Sequence, residues 1–271
     1  MFGAVFGDII GSTYEFRFTK KYNFNMFRKF SRFTDDTVLT YAVCDAILSN
    51  DRDITFMNKS EREKEYAQRF KMFYSRYPHA GFGQMFIHWA KEKELSVNKS
   101  YGNGASMRVT PIGYAYKTIE QVHKQTEASC AYTHNHHEAI TGAKAVSSAV
   151  FLALHDYDKT EIQKYIEKKF GYKFDITTDE LRKHYKFNSR TTESVPQSIL
   201  CFLESESYED AIRKAISLGG DADTMACIAG GIAEAYYKYI PEEIRSFCMG
   251  KLDGTMKDTM LEFSKKYVPF Y

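Results

Sequence analysis

The sequence predicts an all-α fold, and three observations carry that expectation. Apolar residues recur at helical spacing in several stretches, helix-opening signals precede them, and no run of alternating residues is long enough to propose a strand. Only five prolines occur, and no Pro/Gly/Ser-rich linker or internal repeat divides the 271 residues, so one domain over 1–271 is expected. A chain of that length buries a substantial core.

The elements follow in order. Gly3, Gly7 and Gly11 repeat every four residues in the apolar stretch Met1 to Gly11, giving a helix with a flat face for close packing, broken by Asp8. Val38, Leu39, Ala42, Val43, Ala46 and Ile47 mark a buried amphipathic helix directly after Thr34-Asp35-Asp36-Thr37. Ser60-Glu61-Arg62-Glu63 reads as a capping box for a helix whose inner face holds Tyr66, Phe70, Phe73 and Tyr74. Gly142 to Leu154 and Ser198 to Leu203 are apolar helical segments, and another helix follows Thr160 and stops near Gly171. The polar stretch from His155 to Arg190 is expected to be peripheral and silent about chemistry.

Composition narrows the function classes. A net charge of +2 gives no global argument for a nucleic-acid or membrane partner, and no run approaches the roughly 20 apolar residues of a membrane span. The five cysteines are widely spaced with no CxxC pair, which argues against a disulfide framework or a thiolate zinc site and fits a reducing cytoplasm.

Two acidic clusters share one design. Thr34-Asp35-Asp36-Thr37 and Gly219-Gly220-Asp221-Ala222-Asp223-Thr224 each lead into a helical run, the second into the small-residue series Ala226, Ala229, Gly230, Gly231, Ala233 and Ala235. Taken singly, each is an N-cap, because helix N-termini stabilise anions. Taken together, with small residues permitting close helix approach, four aspartates in one small volume repel unless they are protonated or neutralised by cations. Oxygen donors without His or Cys suit Mg²⁺, Mn²⁺ or Ca²⁺, and the pattern is not an EF-hand. Glu15, just past the first helix, is a fifth acid that becomes a candidate ligand or general base beside such a site.

Ser100-Tyr101-Gly102-Asn103-Gly104-Ala105-Ser106-Met107-Arg108 reads either as a tight turn or as an anion-binding nest, and matches neither a Walker A loop nor a dinucleotide fingerprint. The run Thr133-His134-Asn135-His136-His137-Glu138 lacks a remote zinc partner and fits a pocket wall or the surface. Phe16 to Phe33 holds Arg17, Lys20, Lys21, Arg28, Lys29 and Arg32 with no acid, interleaved with Phe18, Tyr22, Phe24, Phe27 and Phe30. It reads as a surface loop with its aromatics tucked inward, or as a site for phosphates or nucleic acid.

Gly3-Ala4 through Gly7-Asp8, Gly11-Ser12 through Glu15, Thr34 to Thr37, the 100–108 loop, Thr133-His134, Val195-Pro196 and Leu218 to Thr224 together resemble the ADP-ribosylglycohydrolase family, in family order and over about the whole chain. The resemblance implies an all-α orthogonal bundle with a cleft holding two Mg²⁺ or Mn²⁺ ions on Thr34, Asp35, Asp36, Asp221, Asp223 and Thr224. It implies catalytic roles for Glu15 and Asp36. It also implies ADP-ribose contacts from Ser100, Tyr101, Gly102, Asn103, Gly104, Met107 and His134, with Tyr101 near the adenine.

The expected activity is release of ADP-ribose from a modified macromolecule, through attack of an activated water at the anomeric carbon. ADP-ribosylated protein, on serine or arginine, and ADP-ribosylated nucleic acid are the expected partners. The Ser-Tyr-Gly-Asn-Gly wording is like serine-directed members, and no carboxylate lies between Arg76 and Glu92, where some arginine-directed members carry one. The alternatives are a non-catalytic ADP-ribose-binding protein and a helical metal phosphohydrolase.

Overall fold

The computed structural model describes residues 1–49 and 57–270. Among them the chain runs α1 (Phe2–Gly11), α2 (Asp35–Leu48), α3 (Lys59–Arg76), α4 (Gln84–Lys91), α5 (Thr110–Ala115), α6 (Ile119–Cys130) and α7 (His137–Leu154). It continues through α8 (Lys159–Phe170), α9 (Thr178–His184), α10 (Thr191–Leu203), α11 (Tyr208–Ser217), α12 (Ala222–Tyr237), α13 (Glu242–Met249) and α14 (Gly254–Tyr267). No strand forms among the described residues; the β pairings found there are isolated bridges, Lys99 with His134 and Gly102 with Arg190. The all-α expectation is met.

At the centre lie α1 and α12. All ten residues of α1 are buried, and α12 is buried from Ala222 to Ala235. Their contact is backbone on backbone: a Cβ at Gly3 would stand 2.4 Å from the Gly230 carbonyl oxygen, one at Gly7 2.1 Å from that of Ala226, and one at Gly11 2.5 Å from that of Ala222. Only hydrogen fits at those positions, so the four-residue glycine period is the packing face. The two helices run antiparallel, which brings the end of α1 to the beginning of α12. Helices α7, α10 and α11 pack around α12, and α2 packs on α3 and α14.

Helix boundaries differ from the sequence reading in three places. Helix α3 opens two residues earlier, because Asn58 rather than Ser60 forms the capping box with Glu61. Its inner face is as expected, with Tyr66, Phe70, Phe73 and Tyr74 buried. Helix α7 begins at His137, one turn before its apolar run, with Glu138 where the helix dipole favours an acid. Helix α10 begins at Thr191 and contains Pro196, whose missing N–H is tolerated in a helix with eight buried residues. Helix α8 ends at Gly171 with φ +73°, as the glycine there suggested. All five cysteines are free and buried. No helix among the described residues is long and apolar enough to cross a membrane.

Candidate active site

Three helix ends meet at one cavity. Asp8, a turn before the end of α1, reaches the N-terminus of α2. Its carboxylate accepts the backbone N–H of Thr34 at 2.9 Å, the Thr34 hydroxyl at 2.7 Å, the backbone N–H of Thr37 at 3.1 Å and the Thr37 hydroxyl. Thr34 is the N-cap residue of α2 and Asp221 that of α12, yet neither side chain caps its own helix. Asp8 supplies the cap for α2 from another helix, so the cluster's own oxygens remain available to the cavity.

The carboxylates fall into two trios. One oxygen from each of Asp8, Asp36 and Asp223 lies within 4.8 Å of the others, and so does one from each of Glu15, Asp221 and Asp223. Asp223 belongs to both. Burial raises the pKa of every one of these groups, and neighbouring negative charge adds to it for Glu15, Asp36 and Asp223. Glu15, half-buried and close to Asp221, is pushed up to about 7. Asp35 is pushed up to about 8, by burial first and then by Asp8. Asp36 Oδ1 is buried with no hydrogen-bond partner. Crowded, desolvated, oxygen-only carboxylates with an unsatisfied acceptor fit hard divalent cations.

The 100–108 loop also lines the cavity. A single 3-10 turn, Asn103–Ala105, is clamped by the start of α10, whose Thr191 hydroxyl donates to the carbonyls of Tyr101 at 2.9 Å and Gly102 at 2.8 Å. Asn103 joins the loop to the acids: its Nδ2 donates to Asp221 Oδ2 at 2.8 Å. The enclosed volume is about 330 Å³.

Of the residues expected at the site, Glu15, Asp35, Asp36, Asp221, Asp223 and Thr224 line the cavity. Ser100, Gly102, Asn103, Gly104, Met107 and His134 line it with them. Two stand apart. Thr34 lies behind the wall, its hydroxyl held between Asp8 and Asp36. Tyr101 is 53% exposed outside the cavity, against the His136 ring and beneath the Arg190 guanidinium. His134 is buried in the wall, whereas His136 and His137 pack on each other away from it, and no histidine joins a metal-ligand cluster among the described residues.

Sequence reasoning passed over several contributors. Asp8 registered as a break in an apolar run and as part of a family motif but with no role at the site, although a lone acid in a wholly buried helix signals a partner. Phe187 and Ser189 line the cavity, and Tyr185 covers Gly220, so the stretch from His155 to Arg190 is not silent about the site. Gln84 and Met85, at the start of α4, complete the rim.

The basic segment divides its aromatics. Phe24 and Met26 face the core, but Phe16, Phe18, Phe27 and Phe30 are exposed, so the inward-tucked reading fails for these four. The backbone is tied down: Tyr14 donates to the Asn25 carbonyl, Lys20 to those of Tyr185 and Leu218, and Arg213 to those of Tyr22 and Phe24. Phe18 meets cavity-lining Phe187 at 6.1 Å between ring centroids.

Comparison with known proteins gives the family and the fold. The ADP-ribosylglycohydrolase family model matches residues 1–268. The chain is similar to ADP-ribosylhydrolase ARH3 of Mus musculus, 27% identical over 281 residues covering 80% of this chain and 73% of the relative. It is similar to ARH3 of Homo sapiens, 27% identical with 80% and 75% covered. ADP-ribosylarginine hydrolase Tri1 of Pseudomonas putida is 24% identical, with 88% and 69% covered. A solved structure described as an ADP-ribosylglycohydrolase-related protein complex superposes with a TM-score of 0.70 at 19% identity, covering 98% of this chain and 95% of that one, which speaks for the fold. With the family matched over nearly its whole length, the chain belongs to the ADP-ribosylglycohydrolase family, a family of hydrolases.

Proposed function

We propose that the protein hydrolyses the glycosidic bond joining ADP-ribose to a modified macromolecule, using two divalent cations, Mg²⁺ or Mn²⁺. The observation that carries this reading is the pair of carboxylate trios sharing Asp223, four of whose five acids line a cavity that the 100–108 loop lines too. Asp36 and Asp223 would hold one cation, and Glu15, Asp221 and Asp223 the other, with Asp35, Thr34 and Thr224 at their margin. When bound, such cations neutralise the crowded carboxylates and act as Lewis acids.

The protein's own groups do the rest. The 100–108 loop and His134 orient the ADP-ribose moiety, and Asn103 ties that loop to the acid cluster through Asp221. Glu15, which lines the cavity beside Asp221 and Asp223, or else Asp36, serves as the base for the attacking water. Attack proceeds through an oxocarbenium-like state, and pre-positioned charge supplies most of the rate.

The acceptor approaches over the edge made by Phe187 and the Phe18 ring packed on it. Arg17, Lys21, Lys29 and Arg32 are exposed in the same acid-free segment, which favours an anionic acceptor with stackable rings, as in ADP-ribosylated nucleic acid, beside proteins modified on serine or arginine. The test is incubation with Mg²⁺ or Mn²⁺ and serine-modified protein, arginine-modified protein or modified oligonucleotide, scored for free ADP-ribose by mass spectrometry. Release of ADP-ribose supports the reading. Release of phosphate points to a phosphohydrolase, and binding without turnover to a protective binding protein. Salt-independent binding of single-stranded oligonucleotide would remove nucleic acid from the acceptors.

A further inference from the structure

Arg108 is an odd residue to find where it is. Its side chain is fully buried, with the guanidinium 4.0 Å from the centre of the Phe70 ring. Among the described residues it forms no salt bridge, and its Nε and Nη1 have no hydrogen-bond partner. Burying an unpaired cation is costly, so what the remaining nitrogen does matters. Nη2 donates to the Ser129 carbonyl at 2.9 Å and to Thr133 Oγ1 at 2.7 Å. Thr133 Oγ1 in turn stands 3.0 Å from Nδ1 of His134.

We propose that Arg108 and Thr133 form a buried relay that fixes His134 as the neutral tautomer with its proton on Nε2, so that the cavity wall presents an N–H donor to an oxygen of the bound ligand. The logic is one of donors and acceptors. A guanidinium only donates, so Thr133 Oγ1 must accept from it, and the single hydroxyl proton is left for His134 Nδ1. Were Nδ1 protonated instead, the buried hydroxyl proton would face a second proton and have no acceptor. Burial, aided by the Arg108 charge, holds the imidazole well below its usual pKa, which removes the doubly protonated form as well. Nε2 has no protein partner among the described residues and lies against the loop, where a Cβ on Gly104 would come within 2.9 Å of it. Arg108 and Thr133 are therefore positioning residues for a donor on the wall of the cavity that the carboxylates also line.

The identity of the ligand as ADP-ribose rests on the function proposed above; the tautomer does not. Long-range ¹H–¹⁵N spectra of the labelled, ligand-free protein, with His134 assigned by comparison with His134→Gln, are expected to show an unprotonated Nδ1 and a protonated Nε2. Thr133→Val should mix the tautomers and weaken ADP-ribose binding about tenfold, the worth of roughly one hydrogen bond, raising KM more than it lowers kcat. Thr133→Ser, which keeps the hydroxyl, should restore both. A protonated Nδ1 in the unmodified protein overturns the proposal, as does a folded Thr133→Val protein with the tautomer and the affinity unchanged. Absence of turnover on every ADP-ribosylated substrate would count against the proposed function and leave the spectral result standing.

Discussion

Asp8 caps a helix to which it does not belong: its Oδ2 accepts the backbone N–H of Thr37, the third residue of α2, at 3.1 Å. That position is normally satisfied by the N-cap side chain. Here the N-cap is Thr34, and its hydroxyl is turned to Asp8 Oδ1 at 2.7 Å. Because the hydroxyl proton is used there, the lone pairs of Thr34 Oγ1 are left for other partners. Capping from another helix lets α2 begin in acids that face the cavity.

Asp8→Asn tests this arrangement. The four contacts to Asp8 come from donors; with an amide nitrogen in the place of Oδ1 the Thr34 hydroxyl must accept where it now donates, and the three contacts to the remaining oxygen lose their charge assistance. We expect a loss of about 1–3 kcal/mol in stability and a weaker response to Mn²⁺. Chemical denaturation with and without Mn²⁺ reads both, and an unchanged midpoint in each condition would show that Asp8 is not the cap.

The pH dependence of the cation-free protein has a definite sign. Glu15 is raised to about 7 and Asp35 to about 8, both chiefly by burial, so between their unfolded values near 4 and these folded values the native state binds more protons than the unfolded chain. Stability must then fall as pH rises through that window. With chelator present, we expect the Tm to be higher at pH 5 than at pH 8, with added Mg²⁺ or Mn²⁺ giving its larger stabilisation at the higher pH. A Tm that rises from pH 5 to 8 in chelator contradicts the shifts.

What could be read from the sequence divides along physical lines. Helix faces were legible because they repeat locally: the glycine period of α1 and the Tyr66, Phe70, Phe73, Tyr74 face of α3 each follow from spacing alone. The acid clusters were legible as residues, and their pairing followed from the small-residue helix behind the second. Asp8 was not, because its partners lie 26 and 29 residues away and the capping relation exists only in three dimensions. Phe187 and Ser189 were hidden for a similar reason, since a segment without periodicity reaches the cavity only through the folded chain. Tyr101 went the other way: it shares its loop with cavity residues, but its ring is drawn outward to Arg190 and His136.

Close helix approach gives a further prediction. In Gly7→Ala the new methyl would fall 2.1 Å from the Ala226 carbonyl oxygen and 2.5 Å from its carbon, and neither is a side chain that can turn away. The helices must separate, at a cost of about 1–3 kcal/mol or more. Separation also moves Glu15 relative to Asp221 and Asp223, so kcat should drop further than the folded fraction does. Gly254→Ala is the control, because nothing lies within 4 Å of its Cβ and the site opens α14. Equal stability of the two variants would mean that α1 and α12 do not pack this closely.

The sharing of Asp223 by both trios predicts an asymmetry among the acid variants. Asp36→Asn removes a ligand from one trio alone, and Glu15→Gln from the other alone, so each should keep about one tightly bound cation where the unmodified protein holds two. Asp223→Asn weakens both trios and should leave neither occupied at micromolar Mn²⁺. Asp221→Asn and Asp35→Asn should each abolish turnover, the first by loss of a direct ligand and the second by loss of charge on the cavity wall. Equilibrium dialysis with metal analysis gives the stoichiometries, and folding can be checked by the Tm in chelator, which ought to rise when a crowded negative charge is removed. Two cations retained in Asp223→Asn would break the link between the trios, and full turnover in both Asp221→Asn and Asp35→Asn would place the reaction elsewhere.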